Sequence, residues 1–255
     1  MAGNFFVVRA VLTVLVSLAA ISPVLLVALF TSRTRRRKLL LVVAAVLVLD
    51  MTLAMAPSVG PFRGLTWNWQ GKLLETLVTV CFAALLSGVS LRDLGLGFRL
   101  VPGSARPVWI AVLLCLAGAV VPVSLGMGLP LTWETLLFQA SLPGLSEEFV
   151  FRGAMQSLLD RVFDRPWKLL GASLGWGSIL PALYCIALHV FHVGKQGAIA
   201  FSLGGLPSAL ILGLMLAWMR ERSGSVWPGV VAHNGFNTLQ VVGPTVLAWA
   251  RGLLS

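Results

Sequence analysis

The sequence predicts an all-α fold, a polytopic transmembrane helical bundle of about eight spans. Composition is the first reason: apolar residues fill 58% of the 255 positions and charged residues only 11%. The mean hydropathy of +0.92 agrees with this. A soluble globular chain carries about 25% charged residues. A chain with so few charges cannot cover its surface with polar groups, so most of its exterior is expected to face lipid.

Segment length is the second reason. A hydrocarbon core of about 30 Å needs roughly 20 apolar residues per helix, and segments of this length recur along the whole chain. The first is too long for a signal-peptide core and lacks a basic region before it, so it also counts as a span. The predicted spans are Phe5–Phe30, Leu39–Ala56, Leu73–Val89, Val108–Leu129, Trp133–Leu159, Ser178–Phe201, Leu206–Trp218 and Trp227–Trp249.

The basic residues predict the orientation of the bundle. With the N-terminus outside the cytoplasm, the inner loops hold thirteen Lys and Arg residues and the outer segments, which include Lys72, hold four. This asymmetry fits the positive-inside rule. Because the basic residues form short clusters between apolar runs, the net charge of +10 does not indicate a nucleic-acid partner.

The three cysteines lie singly in apolar segments and indicate neither a disulfide framework nor a thiolate metal site.

Polar groups inside the spans are the candidate functional residues, because ionisable groups in a bilayer are costly and usually functional. The densest cluster runs from Ser146 to Arg152 as SEEFVFR. Arg152 follows Glu148 by four residues, so the two share one helix face and can form an ion pair. Glu147 points about 100° away and has no evident local partner. We therefore expect Glu148 and Arg152 to be structural and Glu147 to be free for chemistry. Asp50 and Glu75 are expected to be interfacial or helix-pairing groups.

All three histidines lie in late spans. His189 and His192 are three residues apart, which predicts one shared helix face. His233 and Asn237 are four residues apart near the start of the last span. Each histidine alone fits an interhelical hydrogen bond, but the three together with the glutamate pair favour a site.

These motifs, in this order, resemble the CPBP family, the group of CAAX prenyl endopeptidase-like and Abi intramembrane proteases. The glutamate–arginine motif, a histidine ending an apolar span and the closing His233-x-x-x-Asn237 carry the resemblance, together with the phrase LRDLGL from Leu91. The resemblance covers about Leu91–Leu247. It predicts N-terminal transmembrane helices outside the family core at residues 1–72 and a protease core at 73–255.

The resemblance implies hydrolysis of a peptide bond within the membrane. Glu147 would be the general base on a water, helped by the middle histidine, and His233 with Asn237 would bind the developing oxyanion. The family's middle motif has phenylalanine four residues before its histidine, whereas Cys185 and Leu188 stand there in this chain. The apolar run before His189 favours that residue for the catalytic role. The supporting residues are Glu148, Arg152 and His192.

Depth in the bilayer is consistent with His189 only if its span starts near Ser178. At about 1.5 Å per residue, a start at Leu169 would carry His189 past the level of Glu147. Residues 167–177 are therefore expected to form an interfacial or re-entrant piece.

Several alternatives stay open. A proton-coupled transporter could use the same glutamate and histidines, and a non-catalytic scaffold could use them to lock helices. No metal and no other cofactor are expected, although Zn²⁺ on histidines and a glutamate is chemically possible. The expected partners are the lipid bilayer and a membrane-anchored, prenylated or tagged polypeptide substrate. The expected location is a bacterial inner membrane.

Overall fold

A computed structural model describes residues 5–32, 38–85, 89–194, 198–201 and 203–254. The chain is mainly helical, as predicted, and two short β-hairpins interrupt it. The helices are α1 (Phe5–Thr31), α2 (Lys38–Met55), α3 (Trp69–Leu85), α4 (Ala105–Gly118), α5 (Val120–Ser124), α6 (Trp133–Glu147), α7 (Gln156–Leu159), α8 (Trp176–Val190), α9 (Leu206–Ser223) and α10 (Trp227–Leu254). The strands are β1 (Trp167–Leu169), β2 (Ala172–Leu174), β3 (Phe191–Val193) and β4 (Ile199–Phe201). A 3₁₀ turn spans Gly60–Phe62, and a π-helical segment, Glu148–Met155, joins α6 to α7.

Helix α10 lies at the centre of the C-terminal part of the bundle, where it packs against α6, α4, α5 and α9. The pair α1 and α2 packs from the other side, α1 against α8 and α2 against α3. A buried apolar cluster joins these two parts, and it includes Val14 of α1, Leu47 of α2, Val150 of the π-helical segment and Tyr184 of α8. The N-terminal helices therefore share a core with the segment that carries the glutamate motif.

Apolar side chains cover much of the outside of the bundle. On α4 and α5, for example, Leu113, Leu114, Val120 and Val121 are all exposed. A soluble monomer rarely exposes apolar surface on this scale, whereas lipid accommodates it. By length and composition, two helices within the described residues are able to cross a membrane, Val7–Thr31 and Ala105–Ser124, and Leu40–Met55 and Trp176–Val190 are shorter apolar helices.

Two predicted boundaries need correction. The predicted span Ser178–Phe201 ends at Val190, because the chain turns there into β3 and pairs antiparallel with β4. His192 lies on β3 opposite Ala200, so His189 and His192 do not share a helix face. Within the predicted interfacial piece at residues 167–177, β1 and β2 form a hairpin, and α8 already begins at Trp176. The two-residue turn of the hairpin holds Leu170 and Gly171 at positive φ, as tight hairpin turns require.

The segment LRDLGL, residues 91–96, forms a turn that packs on the connection between α9 and α10. Gly95 adopts a positive φ and its carbonyl accepts the backbone N–H of Val226. The Trp227 indole N–H donates to the carbonyl of Leu96, and the Ser225 hydroxyl donates to that of Gly97. These bonds fix the start of α10, six residues before His233.

A buried carboxyl group follows the helix that carries the glutamate motif. Asp160 is the first residue after α7, outside the predicted span, and its side chain is only 12% exposed. Burial and the neighbouring Glu221 carboxylate raise the pKa of Asp160 to about 9. Arg165 Nη1 lies 3.0 Å from Glu221 Oε2 and 3.9 Å from Asp160 Oδ2. Asp160 therefore stays protonated at neutral pH.

This proton predicts a pH dependence of stability. The unfolded carboxyl ionises near pH 4 and the folded one near pH 9, so the folded state binds one more proton between these values. The free energy of unfolding should therefore fall as pH rises through this window, by up to about 1.4 kcal/mol per pH unit. Asp160→Asn, which keeps the neutral form, should flatten the pH dependence of the thermal unfolding midpoint in detergent.

Asp93→Asn is the matched control. Hydrogen bonds from the backbone and side chain of Ser90 hold the pKa of Asp93 below its ordinary value, so this carboxyl adds no slope above pH 5. An Asp160→Asn protein with the wild-type pH dependence would contradict the assignment.

Candidate active site

The glutamate motif lies where the helix changes its winding. Helix α6 ends at Glu147 and the π-helical segment begins at Glu148, and such segments are frequent at functional sites. Pro143 lies within α6 just before this change. The next N–H, of Gly144, donates to the side-chain oxygen of Asn234 on α10 at 2.7 Å. The Asn234 side chain on α10 thus accepts the hydrogen bond of a backbone N–H group just before the glutamate motif.

Glu148 and Arg152 form the ion pair that their spacing predicts. Glu148 Oε2 lies 3.4 Å from Arg152 Nε, and the two side chains are 0% and 1% exposed. Arg152 Nη2 also donates to the carbonyl of Gly213 on α9 at 3.0 Å. The pair therefore joins the motif to α9 in a fully buried place.

His233 is held by the other oxygen of the same carboxylate. Its Nδ1 lies 3.0 Å from Glu148 Oε1, and because a carboxylate only accepts, Nδ1 carries the proton. The Nε2 atom then points to Glu147, whose Oε2 is 3.9 Å away. The structure thus brings His233 together with Glu148 and Glu147, which precede it in sequence by 85 and 86 positions.

His189 lies in the last turn of α8, where one of its ring nitrogens is bonded to the same helix. Its Nδ1 donates to the Cys185 carbonyl at 2.8 Å, which leaves Nε2 as an acceptor in the neutral ring. A cavity of about 190 Å³ is lined by His189, His233 and Asn237 together with Arg152. Asn237 lies one helical turn after His233. The structure therefore gathers three of the four predicted catalytic side chains around one cavity, with Glu147 beside His233.

His192 is the predicted site residue about which the structure says least. Its backbone lies on β3, beyond the end of α8, and its side chain is outside what the structure describes.

Lys72 is a site residue that the sequence analysis missed. Its Nζ lies 3.2 Å from Glu147 Oε1 and 3.0 Å from Glu75 Oε2. The expectation that Glu147 has no partner holds only for its own helix. Lys72 is not an outer-loop residue either, because it lies in the first turn of α3 and its side chain is only 19% exposed. A lysine three residues before a glutamate in an apolar helix was the signal that pointed to it.

Asn234 is the second missed residue. Besides accepting from Gly144, its side-chain N–H donates to the Ser141 carbonyl at 2.8 Å. It binds α6 on both sides of Pro143 and follows His233 directly. Its position next to the His-x-x-x-Asn motif was the available signal.

No group of three or more His, Cys, Asp or Glu side chains within the described residues is placed to hold a metal ion.

One comparison with known proteins gives a match. Residues 129–239 match the family model described as Type II CAAX prenyl endopeptidase Rce1-like. This segment contains every predicted site residue from Glu147 to Asn237, and it confirms the resemblance to the CPBP and CAAX protease group. No curated protein and no solved structure matches the chain.

The buried ion pair gives a stability prediction. Arg152→Ala would leave the Glu148 carboxylate buried without its cation, which should lower the free energy of unfolding by about 3–5 kcal/mol. We expect a much lower yield of folded protein and a lower thermal unfolding midpoint in detergent. Arg63→Ala, which removes an exposed arginine, should leave both unchanged. Normal yield and an unchanged midpoint for Arg152→Ala would show that the pair does not stabilise the fold.

Proposed function

We propose that this chain, whose residues 129–239 identify it as a peptidase of the CAAX protease family, is an endopeptidase that cleaves its substrate within the membrane. The substrate would be a membrane-associated polypeptide, and a prenylated C-terminal peptide is the form to test first. One observation carries the proposal: Glu147 lies beside the Nε2 atom of His233, whose Nδ1 atom is held by the buried Glu148.

Glu147 would act as the general base. It would take a proton from a water molecule as the water oxygen bonds to the carbonyl carbon of the scissile peptide. His189 would support this step: with Nδ1 bonded to the Cys185 carbonyl, its Nε2 would accept a hydrogen bond from the same water. The proton would then pass to the leaving nitrogen as the C–N bond breaks.

His233 and Asn237 would stabilise the oxyanion. With Nδ1 donating to Glu148, a His233 ring that also carries a proton on Nε2 would donate from that atom to the oxyanion. Asn237, one turn further along α10 and lining the same cavity, offers a second donor. Each such donor contributes about 2.7–4 kcal/mol in other hydrolases.

The surroundings of the cavity suit an apolar substrate. A second pocket of about 170 Å³ borders it between α4, α5 and α9. The two share their rim residues, which are Pro122, Met127, Ser208, Leu212 and Phe236. A lipid-modified peptide could therefore place apolar groups beside the site while its backbone enters the cavity.

The chain is an integral membrane protein, as its family is. We propose that its helices make about eight spans, with the N-terminus outside the cytoplasm of a bacterial cell. The distribution of Lys and Arg between alternate loops supports this orientation. The cluster Arg33–Lys38 is the largest group of Lys and Arg among the inner loops, and it lies largely outside the described residues.

The role of Glu147 gives a direct test. Glu147→Gln removes the base but keeps the shape, and Lys72 would still have Glu75 as a partner. We expect turnover of a quenched prenylated peptide in proteoliposomes to fall at least about 100-fold, with folded yield unchanged. Glu134→Gln, on the same helix, is the matched control and should keep wild-type turnover. Cleavage by the Glu147→Gln protein would contradict the proposed mechanism.

The two neighbouring histidines give a second test. His189→Ala should lose roughly 100-fold in turnover, in the range for a lost acid–base partner. His192→Ala should lose much less, because β3 carries its backbone beyond the end of α8. Both variants are assayed on one peptide under the same conditions. An inactive His192→Ala protein beside an active His189→Ala protein would transfer the role to His192.

A further inference from the structure

The carboxylate proposed as the general base is contacted by one cation from outside the family segment. Lys72 Nζ lies 3.2 Å from Glu147 Oε1, and Lys72 belongs to α3, whereas the family match begins at residue 129. Glu75, one turn along α3, holds the same ammonium at 3.0 Å and is itself 1% exposed. Glu75 therefore fixes Lys72, and Lys72 in turn reaches Glu147.

A third carboxyl group faces this pair from α2. Asp50 is buried, and Asp50 and Glu75 line the same narrow gap between α2 and α3. One lysine thus lies among three carboxyl groups from three helices. Burying a charge is costly unless it is paired, so this arrangement holds the ammonium firmly where the helices meet.

The two oxygens of Glu147 have different surroundings. Lys72 occupies Oε1, whereas Oε2 is buried without a hydrogen-bond partner within the described residues and lies 3.9 Å from His233 Nε2. Binding of Oε1 restricts rotation of the carboxylate about its last bond. Oε2 is then held on the side that faces His233, where it would take the proton from the reacting water.

We propose that Lys72 is a positioning residue of the hydrolytic site, which pairs with the Glu147 carboxylate and directs Oε2 toward the reacting water. This rests on the proposed function and deepens it. It also gives the N-terminal helices a role in the reaction: α2 and α3 supply the charges that orient a base carried by α6. Lys72 contacts Glu147 and is not among the described residues that line the cavity, so it acts through Glu147 and not on the substrate.

The test uses the full-length protein in proteoliposomes and a quenched farnesylated peptide, with kcat and KM measured from pH 5 to pH 10. The charged and titratable groups near Glu147 that bear on this profile are Lys72, Glu75, Asp50, Glu148, Arg152, His189 and His233. A cation beside a carboxylate favours its ionised form by about 1–3 pH units. In Lys72→Met, the acid limb of the kcat profile should therefore move to higher pH by about this amount, with little change in KM.

Two further variants separate positioning from general support of the fold. Lys72→Arg keeps a cation and should restore most of the wild-type profile. Lys72→Met combined with Glu75→Gln removes one charge of each sign, so it protects folding while still leaving Glu147 without its cation; its acid limb should shift as in the single variant. Lys168→Met, which removes an exposed lysine of β1, is the matched control and should behave as wild type.

The outcomes distinguish the two proposals. If the wild-type protein cleaves the peptide and both Lys72→Met proteins keep its acid limb and kcat, the positioning role is wrong while the proposed function stands. If Lys72→Met only lowers the thermal unfolding midpoint and loses kcat equally at all pH values, Lys72 is merely structural. A folded wild-type protein that cleaves no prenylated peptide overturns the proposed function and the positioning role together.

Discussion

The buried carboxylate of Glu148 is the interaction on which the arrangement of the site depends. One oxygen accepts from His233 on α10, and the other faces Arg152, which continues to the carbonyl of Gly213 on α9. A charge in so dry a place is tolerated only when it is paired and hydrogen-bonded. The helices therefore have to meet within hydrogen-bond distance of this one group, and their meeting defines the site.

Close approach of the helix backbones makes this possible. A Cβ atom on Gly229 would lie 2.9 Å from Glu148 Oε2, and one on Gly144 would lie 2.6 Å from the Asn234 side-chain oxygen. Glycine at these two positions lets α10 come close to the glutamate motif. Small residues serve this purpose widely in membrane helix packing. Asn234 then satisfies the backbone that Pro143 disturbs, so the same helix contact supports both the bend and the site.

The site is assembled in two layers of different origin. The groups proposed to contact the substrate all come from α6, α8 and α10, within the segment that matches the family. The charges behind them come from α2 and α3, which share a buried apolar core with the rest of the bundle. In the proposed mechanism, this division lets one part of the chain carry the base and another part orient it. The same mechanism predicts that substitutions in α2 and α3 act on the site without changing the residues that line the cavity.

The sequence by itself determined the helical membrane character, the residues proposed to carry chemistry and the Glu148–Arg152 pair. Each of these follows from composition or from neighbours four residues apart on one helix, where the backbone geometry fixes the distance. Tertiary structure alone decided that His233 binds Glu148, that Lys72 binds Glu147 and that Asn234 satisfies Gly144. These contacts join residues 75 to 90 positions apart, and helical periodicity carries no information on which faces of separate helices meet.

The end of α8 at Val190 was missed for a related reason. The apolar run continues through β3 with no helix-breaking residue before Gly194, and it is pairing with β4 that ends the helix. Side-chain pairing across the bundle, and backbone pairing across the hairpin, depend on how the elements pack together.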